Sequence, residues 1–503
     1  MTILTLFLYI GIAALILTII IAKSQKDTSN YFDSFLQNFA GSLFVFSGFV
    51  KAVDPMGTAY KMEQYFTAFE DTCKGSFLKF IAPLFPFLSH YSVAFSVFMI
   101  VLEIVLGIML IIGYQRKLAA WLFLIIMIFF TILTGFTFLT GYVPTEVNFF
   151  EFSKWTGFVK SNMRVTDCGC FGDFIKLEPK VSFMKDLILM IPALWFLFRW
   201  RKLHQLFSPI VRMGITAMSI IGFFLFSLSN FVWNEPIIDF RPFKIGVNIK
   251  TKLAEERKAL ADVEITAYKL KNKQNNKEIE IPYKAYLDSF KLNPNFKASW
   301  ETLDQVKSEP KIPRTKISDF DVQSMDGQSA TDAILSDGRY HFIILSPKVK
   351  YTVHAVEEAR IDTIYILDTT SIKLKNKDSL IVKRIAAGTE KKMIKRNHYD
   401  WDTAFISIIK NKLLPLIDSV KCQQVTASLI LGGLTEEGIT QLKLECGTNI
   451  TCYEADDLLI KTIMRSNPGL LLLKDGKIIY KWHYKLLPKA DELRTKYLGD
   501  LSK

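Results

Sequence analysis

Two cysteines one residue apart, Cys168 and Cys170, stand between glycines and carboxylates in the run Asp167-Cys-Gly-Cys-Phe-Gly-Asp173. Thiols at this spacing suit thiol–disulfide exchange. The thiolate is the reactive species, and its fraction rises near cations and falls beside carboxylates. A Cys-Gly-Cys bridge closes a very small ring, so it is expected to be strained, labile and oxidising towards incoming thiols. The opposing reading is a structural turn whose thiols stay reduced or are bridged to Cys73. The remaining thiols are Cys422, Cys446 and Cys452. Cys73 is a natural exchange partner or relay for the pair. Cys446 and Cys452 flank a Gly-Thr-Asn-Ile-Thr loop and suit a structural disulfide. The histidines are scattered and no Cys/His group has ligand spacing, so no metal is expected.

The elements that position these thiols follow from composition. Half of the 503 residues are hydrophobic (50%), 41 are Phe, only 22% are charged, and the mean hydropathy is +0.22. That balance excludes a disordered or purely cytosolic chain, because apolar surface must enter lipid. Six stretches have the length of a bilayer span: 3–21, 31–53, 92–113, 118–141, 183–200 and 213–233. Lys23 to Lys26, Arg116-Lys117, and Arg199, Arg201, Lys202 and Arg212 fall in alternate connections, which the positive-inside rule makes cytoplasmic. The N-terminus and everything after Trp233 are then outside. The first stretch has no basic leader and no small-residue cleavage site, so it reads as a retained span. On this topology every cysteine lies outside, where disulfides persist. Met56 to Phe69 carries apolar residues at helical spacing and predicts an amphipathic helix in the outer interface. The net charge of +13 is read as lipid-facing, since no nucleic-acid-binding motif accompanies it.

Ionisable residues within spans are costly and mark sites. Glu103 lies deep in the third span, and Lys51, near the outer end of the second, is its candidate partner. Ser47, one turn deeper than Lys51, is the alternative. Lys185 and Asp186 open the fifth span and read as an interfacial pair or as a proton relay.

The segment Phe44 to Pro55 (FVFSGFVKAVDP), Glu103, and the DCGCFGD run followed by Lys185-Asp186-Leu187 resemble the DoxX family. Within it they resemble the branch shared with the methylamine utilisation protein MauE. The resemblance covers 31–200. It implies a four-helix membrane core similar in arrangement to the quinone-linked thiol oxidoreductases of the DsbB and vitamin K epoxide reductase type. It further implies an inner-membrane location, a redox or maturation role towards periplasmic proteins, and a membrane quinone as acceptor. Those enzymes use Cys-x-x-Cys, whereas this chain has Cys-x-Cys. With its long outer region and the junction Ile237 to Ile249, the layout resembles the Bacteroidetes members of the family.

Beyond residue 234, Val263 to Leu270 and Lys277 to Ile281 alternate around Asn272 and predict a hairpin. A strand at Tyr340 to Leu345, a helix at Trp401 to Val420, a strand at Val425 to Leu431, a helix at Thr435 to Leu444 and a strand at Ile450 to Tyr453 then follow. The run Asn467 to Trp482, with Pro468 before an apolar strand and a turn at Asp475-Gly476, matches the second half of a thioredoxin. Pro468 takes the cis-proline position. The place of a catalytic Cys-x-x-Cys reads Ser346-Pro347-Lys348-Val349, so this region is expected to dock a partner rather than reduce one. Lys350 to Asp400 is an insertion.

The predicted fold is a polytopic α-helical membrane protein joined to a soluble α/β thioredoxin-like domain. Its parts are a first span with its loop (1–30), a four-helix core (31–200), a sixth span (201–233), a linker with a small β module (234–314) and the thioredoxin-like domain (315–503). Two functions compete. One is thiol–disulfide chemistry at Cys168 and Cys170. The other is a non-enzymatic scaffold whose outer domain captures an envelope partner. Transport has little support without repeat or broken-helix signals.

Overall fold

The computed structural model describes residues 2–24, 30–293, 296–374 and 377–499; Gln25 and Lys26 of the first basic connection lie outside them. The chain forms two compact units. The first comprises Met1–Val247 with Thr462–Ser466 and Lys481–Leu487, and the second comprises Asn248–Lys461, Asn467–Tyr480 and Pro488–Lys503.

The first unit contains α1 (Ile3–Ser24), α2 (Tyr31–Val53), α3 (Pro55–Lys74), α4 (Leu84–His90), α5 (Ser92–Ile112), α6 (Arg116–Thr140), α7 (Pro179–Arg199) and α8 (Pro209–Leu228). Among the described residues six helices are long and apolar enough to cross a membrane: α1, α2, α5, α6, α7 and α8. Local sequence sets their ends. Asn30 caps α2, Asp54 caps α3 with Pro55 in its first turn, and Ser208 caps α8 ahead of Pro209. The predicted amphipathic helix is α3, whose Met62, Tyr65 and Phe66 join Leu133 and Phe136 of α6 in one apolar cluster.

Glycines fix the central crossing. A Cβ on Gly41 would lie 2.8 Å from Gly107 O, and one on Gly48 would lie 2.5 Å from Ile104 Cγ1. Small residues let two membrane helices approach closely, and here they bring α2 and α5 into antiparallel contact. Phe44 of α2 meets Phe123 of α6 at 4.7 Å between ring centroids, and Phe123 meets Phe196 of α7 at 5.7 Å. The outward sides of α1, α7 and α8 are apolar and exposed, as at Leu4, Phe198 and Met218, which is what lipid requires.

The second unit opens with α9 (Ile249–Ala261) and a three-stranded antiparallel sheet of β1 (Ile265–Asn272), β2 (Glu278–Pro282) and β3 (Trp300–Lys307) in the order β2-β1-β3. The predicted hairpin is β1–β2. β3 was not expected; its charged run, Trp300-Glu-Thr-Leu-Asp-Gln-Val-Lys307, hides a strand exposed along most of its length. A six-stranded sheet follows, made of β4 (Val322–Ser324), β5 (Tyr340–Ser346), β8 (Val425–Leu431), β9 (Thr451–Ala455), β10 (Gly469–Lys474) and β11 (Lys477–His483). Its order is β11-β10-β5-β8-β9-β4, with β5, β8 and β9 parallel and β10 antiparallel to β5. The buried run of β5 and β10 is continuous rather than alternating, as expected for strands covered on both faces. The expected insertion is a two-stranded antiparallel ribbon, β6 (Tyr351–Leu374) and β7 (Lys377–Trp401). The predicted helices after it are present, but the first is broken by a π turn at Ile409–Leu413.

Candidate functional site

The DCGCFGD turn lies between α6 and α7 and folds inward. Gly169 (φ +62) and Gly172 (φ +52) hold left-handed backbone, which glycine adopts at little cost. A Cβ on Gly169 would meet Lys61 Cγ of α3 at 3.2 Å, so the turn is pressed against that helix. Lys61 Nζ pairs with Asp167 at 3.1 Å, and Ser47 Oγ donates to the Cys170 carbonyl at 2.9 Å. Phe171 is only 1% exposed. The turn is thus half-buried against α2 and α3, with Cys168 and Cys170 partly exposed.

The two thiols sit among polar groups from four helices. The Ser182 hydroxyl, on the first turn of α7, lies near both sulfurs and has no hydrogen-bond partner among the described residues. Thr137 of α6 also contacts Cys168, and its hydroxyl shares a hydrogen bond with Tyr65 Oη at 2.7 Å. Cys170 senses the charges of Lys185, Asp186 and Lys51. Burial pushes the Cys168 thiol up to about 12, and the neighbouring Cys170 and Asp167 add to this. Burial likewise raises Cys170, opposed by Lys185. In the structure both thiols are unbridged.

Lys185 and Asp186 pair inside the protein. Asp186 is fully buried, pairs with Lys185, and accepts from Thr134 Oγ1 at 2.9 Å. Lys185 lies over the Phe171 ring, 5.7 Å from its centroid. Lys51 Nζ donates to Glu103 Oε2 at 2.8 Å, with both side chains buried. The apparent mismatch in their depth disappears because α5 begins beyond the end of α2. Ser96, a turn into α5, already donates to the Pro55 carbonyl at 2.8 Å, so Lys51 faces the middle of α5. Helix side chains also lean towards the N-terminus, which carries Lys51 down to Glu103. Ser47, the alternative contact for Glu103, serves the Cys170 carbonyl instead.

Cys73 stands apart. It is buried near the end of α3, eight residues beyond Tyr65, which is about 12 Å along the helix. Only burial perturbs it. Cys446 and Cys452 are also not bridged. Cys446 ends one helix (Glu436–Cys446) and Cys452 lies in β9; both are enclosed by the apolar core, which pushes each thiol up to about 11. Cys422 is exposed. The Asn467–Pro468 bond is cis. Ser346 Oγ, at the position expected of a thioredoxin dithiol, donates to Asn467 Oδ1 at 2.7 Å. Among the described residues no group of three His, Cys, Asp or Glu is placed to hold a metal.

Sequence reasoning missed an ionic node in the first unit. Arg465 grips Asp54, with Nε 2.8 Å from Oδ1 and Nη2 2.6 Å from Oδ2, and approaches Asp173 of the cysteine turn at 3.9 Å. Its backbone N–H donates to Glu235, which also pairs with Arg241 at 2.9 Å. Arg241 in turn meets Asp239 at 2.7 Å, and Lys481 closes the node on Asp239 and the Phe243 carbonyl. Burial alone would raise Asp54, but the Arg465 guanidinium overrides it and holds the carboxyl low. Burial depresses Lys481 to about 8. Arg465 and Lys481 come from 230 or more residues further along the chain than Glu235 and Asp239, so no local pattern announces them. A second polar group that went unread, Asp33, Ser34 and Gln37 of α2, binds Arg199, His204 and the Leu110 carbonyl. Its sequence signal is polar residues at helical spacing inside an apolar run.

An apolar cavity of about 700 Å³ lies between α5 and α8, walled by Val97, Val101, Val105, Phe224 and Leu228, with His90 at one end.

The helices α2 to α6 also carry a likeness to known proteins. Residues 29–145 match the family of the methylamine utilisation protein MauE. This MauE-type segment includes Ser47, Lys51, Cys73 and Glu103 and ends before Cys168 and Cys170. No curated protein and no solved structure matches the chain. The protein is thus a membrane protein with a MauE-type segment and a strand-rich second unit.

Proposed function

We propose that this protein exchanges thiols and disulfides at Cys168 and Cys170 on the outer side of a bacterial inner membrane. The observation that carries the reading is the burial of two ion pairs, Lys51–Glu103 and Lys185–Asp186, around these two thiols. A charge at bilayer depth is costly, and a pair of them beside a dithiol is the arrangement proton-coupled redox chemistry needs. In the oxidising direction a substrate thiolate attacks the Cys168–Cys170 bridge and forms a mixed disulfide. The second substrate thiol then displaces it. The substrate dithiol loses two electrons and two protons, and Cys168 and Cys170 become two thiols. Lys185 stabilises the departing Cys170 thiolate until it is protonated, and Asp186 and Glu103 hold and pass protons.

A membrane quinone is the acceptor class that the family resemblance implies for returning the pair to the disulfide. The α5–α8 cavity is apolar enough for such a ring or its tail. Its walls share no residue with the thiol cluster, so the reading rests on the thiols and ion pairs alone. The second unit supports a docking role. Its central parallel strands, its antiparallel β10–β11 hairpin and cis-Pro468 fit a thioredoxin-like module in which Ser346 stands where a dithiol would.

The scaffold reading draws on one observation: both thiols are unbridged, and burial raises them. Differential thiol labelling of the membrane protein after equilibration with glutathione buffers separates the two. The redox reading expects Cys168 and Cys170 to shift together between bridged and free forms. Thiols that stay alkylatable in every buffer leave the scaffold reading.

A further inference from the structure

At the end of the helix bundle away from the cysteines, the α5–α6 turn and the α7–α8 connection are locked together. Leu206 N–H donates to the Ile112 carbonyl at 2.9 Å and Gln205 Nε2 to the Gly113 carbonyl at 3.2 Å. Gly113 holds φ +67, and a Cβ there would lie 2.0 Å from His204 O. Two non-glycine residues of these connections also hold left-handed backbone, Gln115 (φ 45) and Phe207 (φ 61). Such conformations persist only where surrounding packing enforces them, and they cluster at ligand clamps and switches.

Arg116 and Arg212 stand in this frame. Arg116 Nη1 donates to the carbonyls of Arg201 (2.9 Å) and Leu203 (2.8 Å), and Arg212 Nη1 donates to Gly113 O (3.2 Å). The two guanidinium groups are close enough to sense each other's charge. Among the described residues neither has a carboxylate partner. Asp33, the acid described at this end, is taken by Arg199 at 2.8 Å and by Trp195. Lys117, Arg201 and Lys202 add further positive charge on the same connections. Arg212 is 7% exposed, yet its Nε donor has no hydrogen-bond partner. A buried charged donor without an acceptor is costly, and an anionic oxygen is the acceptor that would satisfy it. Exposed large hydrophobics share the segments that carry the two arginines: Phe207 and Ile210 just before Arg212, and Trp121 just after Arg116.

We propose that Arg116 and Arg212 form a binding site for the headgroup phosphate of an anionic phospholipid, with Phe207 and Ile210 against its acyl chains. Free phosphate would answer the two arginines but leave these apolar side chains unused. The lipid answers both, and an anionic leaflet supplies it at the basic end of the bundle. The site is independent of the thiol chemistry.

The test uses the full-length protein in neutral detergent, with its thermal midpoint followed as dioctanoyl phosphatidylglycerol, dioctanoyl phosphatidylcholine or inorganic phosphate is added. Phosphatidylglycerol is expected to raise the midpoint in a saturable way, and the other two are expected to leave it unchanged. Arg116→Gln and Arg212→Gln should each weaken the phosphatidylglycerol response by about tenfold or more. Lys117→Gln should keep it. Arg116 is partly exposed, so Arg116→Gln remains informative if Arg212→Gln does not fold. An equal response to phosphatidylcholine or to inorganic phosphate, or a full response in Arg116→Gln, overturns the proposal.

Discussion

Two pairs of cysteines in this chain show how surroundings decide what a thiol can do. Cys446 and Cys452 lie buried in the second unit, Cys446 among Ile409, Leu414, Leu442 and other apolar side chains. Burial raises both and nothing nearby opposes it strongly, so they are inert filling. Cys168 and Cys170 are raised by burial too. Around them, however, stand Ser182, Thr137, Lys185 and Asp186, with Lys51 and Glu103 close behind. Desolvation acts on both pairs alike. Around the first pair stand hydroxyls and buried ion pairs that stabilise a thiolate or carry a proton; around the second, Lys410 and Lys443 offset the burial only in part. The same contrast holds for titratable groups in general. The acids buried in the membrane unit are paired, Asp33 with Arg199, Glu103 with Lys51 and Asp186 with Lys185, whereas the second unit buries His341 with Nε2 on Ser428 and Nδ1 without a partner.

The contrast fails most plainly if the first pair is dispensable. Cys168→Ser and Cys170→Ser should each reduce thiol–disulfide exchange to background, and one of them should accumulate a mixed disulfide with substrate, seen on non-reducing gels. Cys446→Ala or Cys452→Ala should leave the exchange rate at the wild-type level.

Next in size is the cost of separating a buried ion pair. Glu103→Gln or Lys51→Met should lower stability by about 3–5 kcal/mol, because each leaves an uncompensated buried charge or a broken partner. The double variant Lys51→Met/Glu103→Leu should recover most of that loss while still failing in exchange. Denaturant unfolding in detergent, read alongside the exchange rate, separates the two effects.

The unpaired histidine supplies the pH test. Burial depresses His341 to about 4 from its ordinary 6.5, with Asp337 opposing and Arg339 reinforcing the shift. The unfolded chain therefore binds the proton first as pH falls. The histidine's contribution is intact above pH 6.5 and is lost as pH falls towards 4, by up to about 3 kcal/mol. His341→Gln should flatten this acid limb in unfolding curves of the whole protein between pH 7 and 4.

The smallest effect concerns the second thiol pair. Unbridged, Cys446→Ala should cost about 1–2 kcal/mol through lost packing, and a reductant should not move the wild-type unfolding midpoint. A bridge would instead make the midpoint fall on reduction, by about 2–4 kcal/mol. The raised thiols also have a signature at high pH. An unfolded thiol ionises near 9 and the folded ones near 11, so stability should decline as pH rises across that window.

Much of this was written in the residues themselves. Six apolar runs of span length, the Cys-Gly-Cys turn and the β10–β11 hairpin follow from composition, spacing and turn chemistry; Lys51 was one of two candidate partners for Glu103, and the cis bond at Pro468 was implied by the likeness to thioredoxin. The first three are local, because a run of about 20 apolar residues or an Asp-Gly turn between apolar strands carries its own constraint. What surrounds the cysteines was not local. Whether Lys185 and Asp186 sit at the surface or inside depends on where the turn folds, and that depends on Lys61 of α3 packing against Gly169. The depth of Lys51 relative to Glu103 depends on the stagger of α2 against α5, set by Gly41, Gly48 and Gly107 meeting across helices some 60 residues apart. The grip of Arg465 on Asp54 joins positions 411 residues apart. Periodicity within one segment tells which face is apolar. Which remote charge fills a buried carboxylate is decided only when helices and distant segments pack, because burial makes an unpaired charge too costly to leave alone.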